Sequence, residues 1–115
     1  MFIVDAREER LVKNEAMFRG INEQIEEIAQ AQGSADGHVY EFLCECSNAD
    51  CTLRVSLSST AYESVRRDPA QFVLAPGHEL PEIEVVVLRT KDYQVVRKQG
   101  EAAEVATEED PRRGP

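Results

Sequence analysis

The chain has 115 residues, enough for one domain whose folding removes roughly two thirds of its unfolded surface from water, and 22 acidic against 13 basic side chains give it a formal charge of −9. No Lys/Arg cluster is longer than a pair, and aromatic residues make up 6% with no Trp, so the basic face and stacking platforms that nucleic-acid binding needs are missing. There is no apolar run near 18 residues and no signal peptide, since Met1-Phe2-Ile3-Val4 gives way at once to Asp5-Ala6-Arg7-Glu8-Glu9-Arg10; the expectation is a cytoplasmic protein with no membrane contact.

From Ala6 to Gln32 the spacing is helical, with Leu11, Phe18, Ile21, Ile25 and Ile28 recurring every three, four or seven residues. Written as a heptad, Leu11, Phe18 and Ile25 occupy one seam position, and Asn14, Ile21 and Ile28 the other. The stripe is narrower than the apolar face of an ordinary core helix. It predicts a long helix that docks through Leu11, Asn14, Phe18, Ile21 and Ile25 onto a protein partner or a second copy of the chain. Asn14 is either a register-setting seam residue or an exposed flank residue. Glu9 with Lys13 and Glu15 with Arg19 are i,i+4 pairs worth about 0.3 kcal/mol each, while Glu23, Glu26 and Glu27 read as a solvated acidic face.

Gly33-Ser34-Ala35-Asp36-Gly37 should end the helix, with Gly33 as its left-handed cap. The period then becomes extended. His38 to Leu43 and Thr52 to Leu57 read as the arms of a hairpin, with Leu53, Val55 and Leu57 facing inward. Ser58 and Ser59 offer caps for a short helix that Asp68-Pro69 stops. Gln71 to Ala75 is a short strand, Pro76-Gly77-His78-Glu79 a turn, and Glu84 to Arg89 with Asp92 to Arg97 a second hairpin. The reading is an α+β fold. It comprises an N-terminal helix over residues 1–33, a core over residues 38–99 with a small antiparallel sheet of about four to five strands and one short helix, and a flexible acidic tail over residues 100–115.

The sharpest chemical signal is Cys44-Glu45-Cys46-Ser47-Asn48-Ala49-Asp50-Cys51, which holds all three cysteines of the chain. Three thiols in a reducing compartment argue against a disulfide framework. Cys44 and Cys46 share one face of an extended segment, and the Ser-Asn-Ala-Asp turn can fold Cys51 back beside them. A fourth ligand from His78, or from His38 as second choice, would complete a Cys3His set of the kind that closes around structural zinc. The alternatives are thiols buried without chemistry and a reactive or redox thiol with His78 as base. Glu45 and Asp50 beside the thiols would raise their pKa and so count against the reactive thiol.

Three blocks carry a resemblance: Asn14-Glu15-Ala16-Met17-Phe18-Arg19 with Asn22-Glu23, Phe42-Leu43-Cys44-Glu45-Cys46 with Asp50-Cys51, and Phe72-Val73-Leu74-Ala75-Pro76-Gly77-His78-Glu79. In these the chain is similar to an uncharacterised family of short bacterial proteins common among actinobacteria, over most of its length up to about Gly100. The resemblance implies that the cysteine loop and the Pro-Gly-His-Glu turn belong to one pattern and meet in space. The expected function is a small interaction or regulatory module stapled by zinc; the alternative is a thiol-based redox sensor or small enzyme.

Overall fold

A computed structural model describes residues 6–32 and 38–112, the side chains of residues 6–10 excepted. The order of elements is α1 (Ala6–Ala31), β1 (Val39–Leu43), β2 (Arg54–Ser58), α2 (Ser59–Arg66), β3 (Gln71–Leu74), β4 (Glu84–Arg89), β5 (Gln94–Lys98) and α3 (Gly100–Glu108). The α+β architecture and the five antiparallel strands agree with the sequence. The strands form two sheets rather than one, a β1-β2 hairpin and a three-stranded sheet in the order β3-β5-β4. Beyond β1 the chain leaves the hairpin, and the Glu45 N–H bonds the Val73 carbonyl of β3 at 2.8 Å, joining the two sheets by backbone.

Alternation sets the register of the hairpin. Phe42 pairs with Val55 and Tyr40 with Leu57, which buries Phe42, Val55 and Leu57 and leaves the intervening residues outward. Leu53, expected to point inward, lies before β2 in the cysteine loop and is exposed. The Ser58 hydroxyl accepts the Ala61 N–H at 3.1 Å and so caps α2, as a serine at that place should. Tyr62 of α2 then stacks on Phe42, with ring centroids 4.5 Å apart. Phe72, Val73 and Leu74 of β3 complete a core in which no side chain of these three is exposed.

Helix α1 departs from the expected stripe. Its buried face runs Val12, Glu15, Arg19, Asn22, Glu26 and Ala29, a three-and-four spacing set one residue on from the apolar seam, and its middle is polar. Phe18 is also buried, and Leu11 and Ile25 pack against the core, so three of the five residues expected to dock a partner serve the molecule's own interior. Asn14 gives its amide to the Ser47 carbonyl at 2.9 Å; of the five, Ile21 alone stays outward, beside Met17 and Ile28. The expected Glu15–Arg19 pair is replaced as well. Glu15 meets Lys98 of β5, and Arg19 reaches the Pro69 and Ala106 carbonyls at 2.6 and 2.8 Å. The Glu9 side chain expected to pair with Lys13, and the Gly33 cap, lie outside the described residues.

The tail expected to be flexible is instead helical from Gly100 to Glu108, and Ala102, Val105 and Ala106 are buried. These side chains are small, so the apolar face they make is faint in sequence. What holds the helix down includes polar contacts from elsewhere. The Ala106 carbonyl, one of the last four of α3 and so without an intrahelical donor, takes its hydrogen from Arg19, a cation at the negative end of the helix.

Candidate metal centre

The cysteine loop is shaped by its backbone. Cys44 continues the hairpin by one bond, its N–H reaching the Leu53 carbonyl at 3.1 Å. Asn48 then turns the chain, its side-chain oxygen accepting the Asp50 N–H at 2.9 Å and its carbonyl the Cys51 N–H at 3.0 Å. That turn carries Cys51 back towards Cys44 and Cys46. Across the loop, Pro76 and Gly77 form the turn after β3: the His78 N–H bonds the Ala75 carbonyl at 3.2 Å and Gly77 sits at φ +85°, a left-handed place that glycine fills without strain.

The result is convergence. The donor atoms of Cys44, Cys46, Cys51 and His78 all lie within 4.8 Å of one another. His78 Nδ1 stands 3.6 Å from the Cys44 sulfur and 3.8 Å from that of Cys51. Bond lengths of about 2.3 Å to sulfur and 2.0–2.1 Å to nitrogen in a tetrahedron require sulfur–nitrogen edges of about 3.6 Å, so these spacings suit a shared ion. Cys44 and Cys46 are buried; Cys51 and His78 are half-buried at the rim. The Cys44 sulfur also accepts the Ala75 N–H at 3.1 Å, the type of outer bond that orients a thiolate ligand. Four residues are therefore close enough to bind a metal ion. His38, the second choice, lies instead against Tyr40 with ring centroids 4.5 Å apart.

Crowding of the sulfurs makes their protons unequal. The hydrogen bond between Cys44 and Cys46, with help from His78, lowers Cys46 to about 4; the same bond and then burial push Cys44 well up, against the pull of the Ala75 N–H. One thiolate is thus favoured within the pair before any ion binds. The Glu45 carboxylate, expected to raise the thiols, turns to partners other than the sulfurs. It accepts the Val73 N–H at 2.9 Å, the Asn22 amide at 2.8 Å and the Tyr62 hydroxyl at 3.4 Å. Burial raises the Glu45 pKa, against the pull of Asn22 and Val73.

Two residues of α1 that hold the site were not assigned to it from sequence, Asn14 being placed on the docking seam or its flank and Asn22 being given no role. Asn22 brackets β1 just before the first cysteine, accepting the Leu43 N–H at 2.7 Å and donating to the Leu43 carbonyl at 2.9 Å. With Asn14 on Ser47, two asparagines of α1 grip the loop on either side of Cys44-Glu45-Cys46. The signal available in sequence was the spacing of Glu15, Arg19, Asn22 and Glu26, which follows the helical period as faithfully as the apolar seam does. The chain matches no protein-family model, no curated protein sequence and no solved structure.

Proposed function

We propose that the protein is a small interaction module stapled by one zinc ion held by Cys44, Cys46, Cys51 and His78. The observation that carries this reading is the convergence of the four donor atoms within 4.8 Å. Three thiolates and one imidazole fill a tetrahedron and leave no position for water, so the ion supplies a cross-link rather than a reaction centre. That cross-link ties the loop of the β1-β2 hairpin to the turn after β3. It acts where the two sheets meet.

Docking through α1 onto a protein partner or a second copy narrows to the outward residues Met17, Ile21 and Ile28. Membership of the actinobacterial family belongs to the same proposal, its three blocks being the ones that supply Asn14, Asn22, the cysteines and His78. No helix among the described residues is long and apolar enough to cross a membrane, which accords with the cytoplasmic placement proposed here.

The test is a native mass spectrum of freshly purified protein before and after a strong chelator, with a urea melt of each form. One zinc per chain is expected, with a second chain at the mass of a dimer if α1 pairs copies. Removing the ion should lower stability by at least about 3 kcal/mol, since structural zinc binding is worth well above that; Cys46→Ser should bind zinc at least about 100-fold more weakly. A metal-free chain that melts unchanged, with one cysteine alkylated selectively at neutral pH, would overturn this reading in favour of thiol chemistry.

A further inference from the structure

Strand β4 forms one edge of the three-stranded sheet, and among the described residues its sheet neighbour is β5 alone. The opposite edge is engaged, since Val73 of β3 bonds Glu45 through both its carbonyl and its N–H. On β4 no proline or charge interrupts Val85-Val86-Val87-Leu88, and Val85, Val87 and Leu88 are 44, 49 and 47% exposed. An apolar edge of this kind is a template for another strand. Beside it a cavity of about 410 Å³ opens between α2 and the sheet, with Val65, Leu88, Tyr93 and Val95 in its walls, so the apolar surface runs on from the edge onto the face.

Two observations say which strand fits. The first is a bulge. Val87 has no partner on β5, and the extra residue resets the alternation of the strand. Val85 opposite Arg97 and Leu88 opposite Val95 therefore share one face, while Glu84 opposite Lys98 and Arg89 opposite Gln94 share the other. The second is the order of charge. The stretch Glu82-Ile83-Glu84-Val85-Val86-Val87-Leu88-Arg89-Thr90-Lys91 is acidic at its start and basic at its end. Turned end for end against itself, it sets Glu82 opposite Lys91, Glu84 opposite Arg89 and Val85 opposite Leu88. The last two pairs match in face, and each acid meets a base.

We infer that β4 docks on β4 of a second copy of this chain, antiparallel and about a two-fold axis between Val86 and Val87, joining the two three-stranded sheets into one. Residue i then meets j and j meets i, as a two-fold interface requires, and opposite charges across such pairs favour this register. A bulged edge turns away a straight strand; a second β4 brings the same kink to the same place. The Glu84 carboxylate already holds Lys98, so the selection by charge falls on Glu82 and Lys91, both exposed. None of these residues belongs to the metal centre or to the outward face of α1.

The experiment is sedimentation velocity on the full chain up to about 1 mM, with amide chemical shifts followed over the same dilution. A strand-edge interface is small, so a dimer with a Kd on the order of 10–100 µM is expected, and shifts that move with concentration should gather at residues 82–91. Val87→Lys, at a half-exposed position, should abolish the dimer, and Ile21→Lys on α1 should leave it intact. Glu82→Lys or Lys91→Glu alone sets like charges opposite each other at both ends and should weaken the dimer about tenfold. The two changes together restore the complement and should return it to within about twofold of the unaltered chain. A monomer at every concentration, a dimer lost by Ile21→Lys but kept by Val87→Lys, or no rescue by the double exchange would each overturn the proposal.

Discussion

At the scale of single residues, this protein is organised by buried charge. Lys98 is fully buried between Glu15 of α1 and Glu84 of β4, with its ammonium 5.3 Å from the centre of the Phe72 ring. The Arg19 guanidinium lies over the same ring, 4.3 Å from its centre. Burial raises the Glu15 pKa well up, and the charge of Lys98 works against it. Such a group stabilises little against a well-packed apolar replacement, yet breaking it strands its partners. Lys98→Met should therefore cost about 3–5 kcal/mol in a urea melt, and the triple change with Glu15→Gln and Glu84→Gln should recover most of that loss. Recovery of nothing would mean that the ammonium's packing on Phe72 matters more than its charge. None of this was legible locally. Glu15 and Arg19 have the spacing of a surface pair, and what draws them inward is a lysine 83 residues away and a carbonyl 87 residues away.

At the scale of elements, strands and turns could be read because their signals are short-range. Alternation gave both hairpins, Ser58 its cap, and Pro76-Gly77 the turn that lifts His78 to the sulfurs. The metal cluster was legible for the same reason, three of its four ligands falling in one loop. The helices were harder, because α1 buries a polar stripe and α3 buries alanines, and neither shows the broad apolar face that marks a core helix. The role of α3 can be checked by ending the chain after Gln99. Arg19 would lose the Ala106 carbonyl and Arg66 would lose Asp110, leaving two buried guanidiniums short of acceptors. The shortened chain is expected to lose at least about 3 kcal/mol or its cooperative melt altogether. A mobile tail would leave the melt unchanged, so circular dichroism against temperature separates the two.

At the scale of the whole molecule, the two ends of the described chain are tied together by ion pairs, Arg66 joining Glu23 to Asp110 and Arg112 joining Glu23 to Glu63. Arg112 holds Glu63 down to about 2, against about 4.3 for a glutamate in an unfolded chain. A carboxyl with a lowered folded pKa contributes stability that is complete above the unfolded value and is lost as pH falls through the folded one. Between about pH 4.5 and 2 the segment around Arg112 should therefore come away from α1 and α2. Side-chain shifts of Arg112 followed by pH titration would show the release; shifts that do not move over this range would place its anchor elsewhere.

The polar stripe on α1 also matters before the fold exists. During synthesis α1 is complete long before α3, and the Ala106 carbonyl that Arg19 needs is 87 residues further on. At about 5–20 residues per second the nascent helix waits on the order of ten seconds for its last partner. Through that wait Leu11, Phe18 and Ile25 lack their final cover, and the polar row of Glu15, Arg19, Asn22 and Glu26 beside them gives the helix one face that water can hold until the rest of the chain arrives.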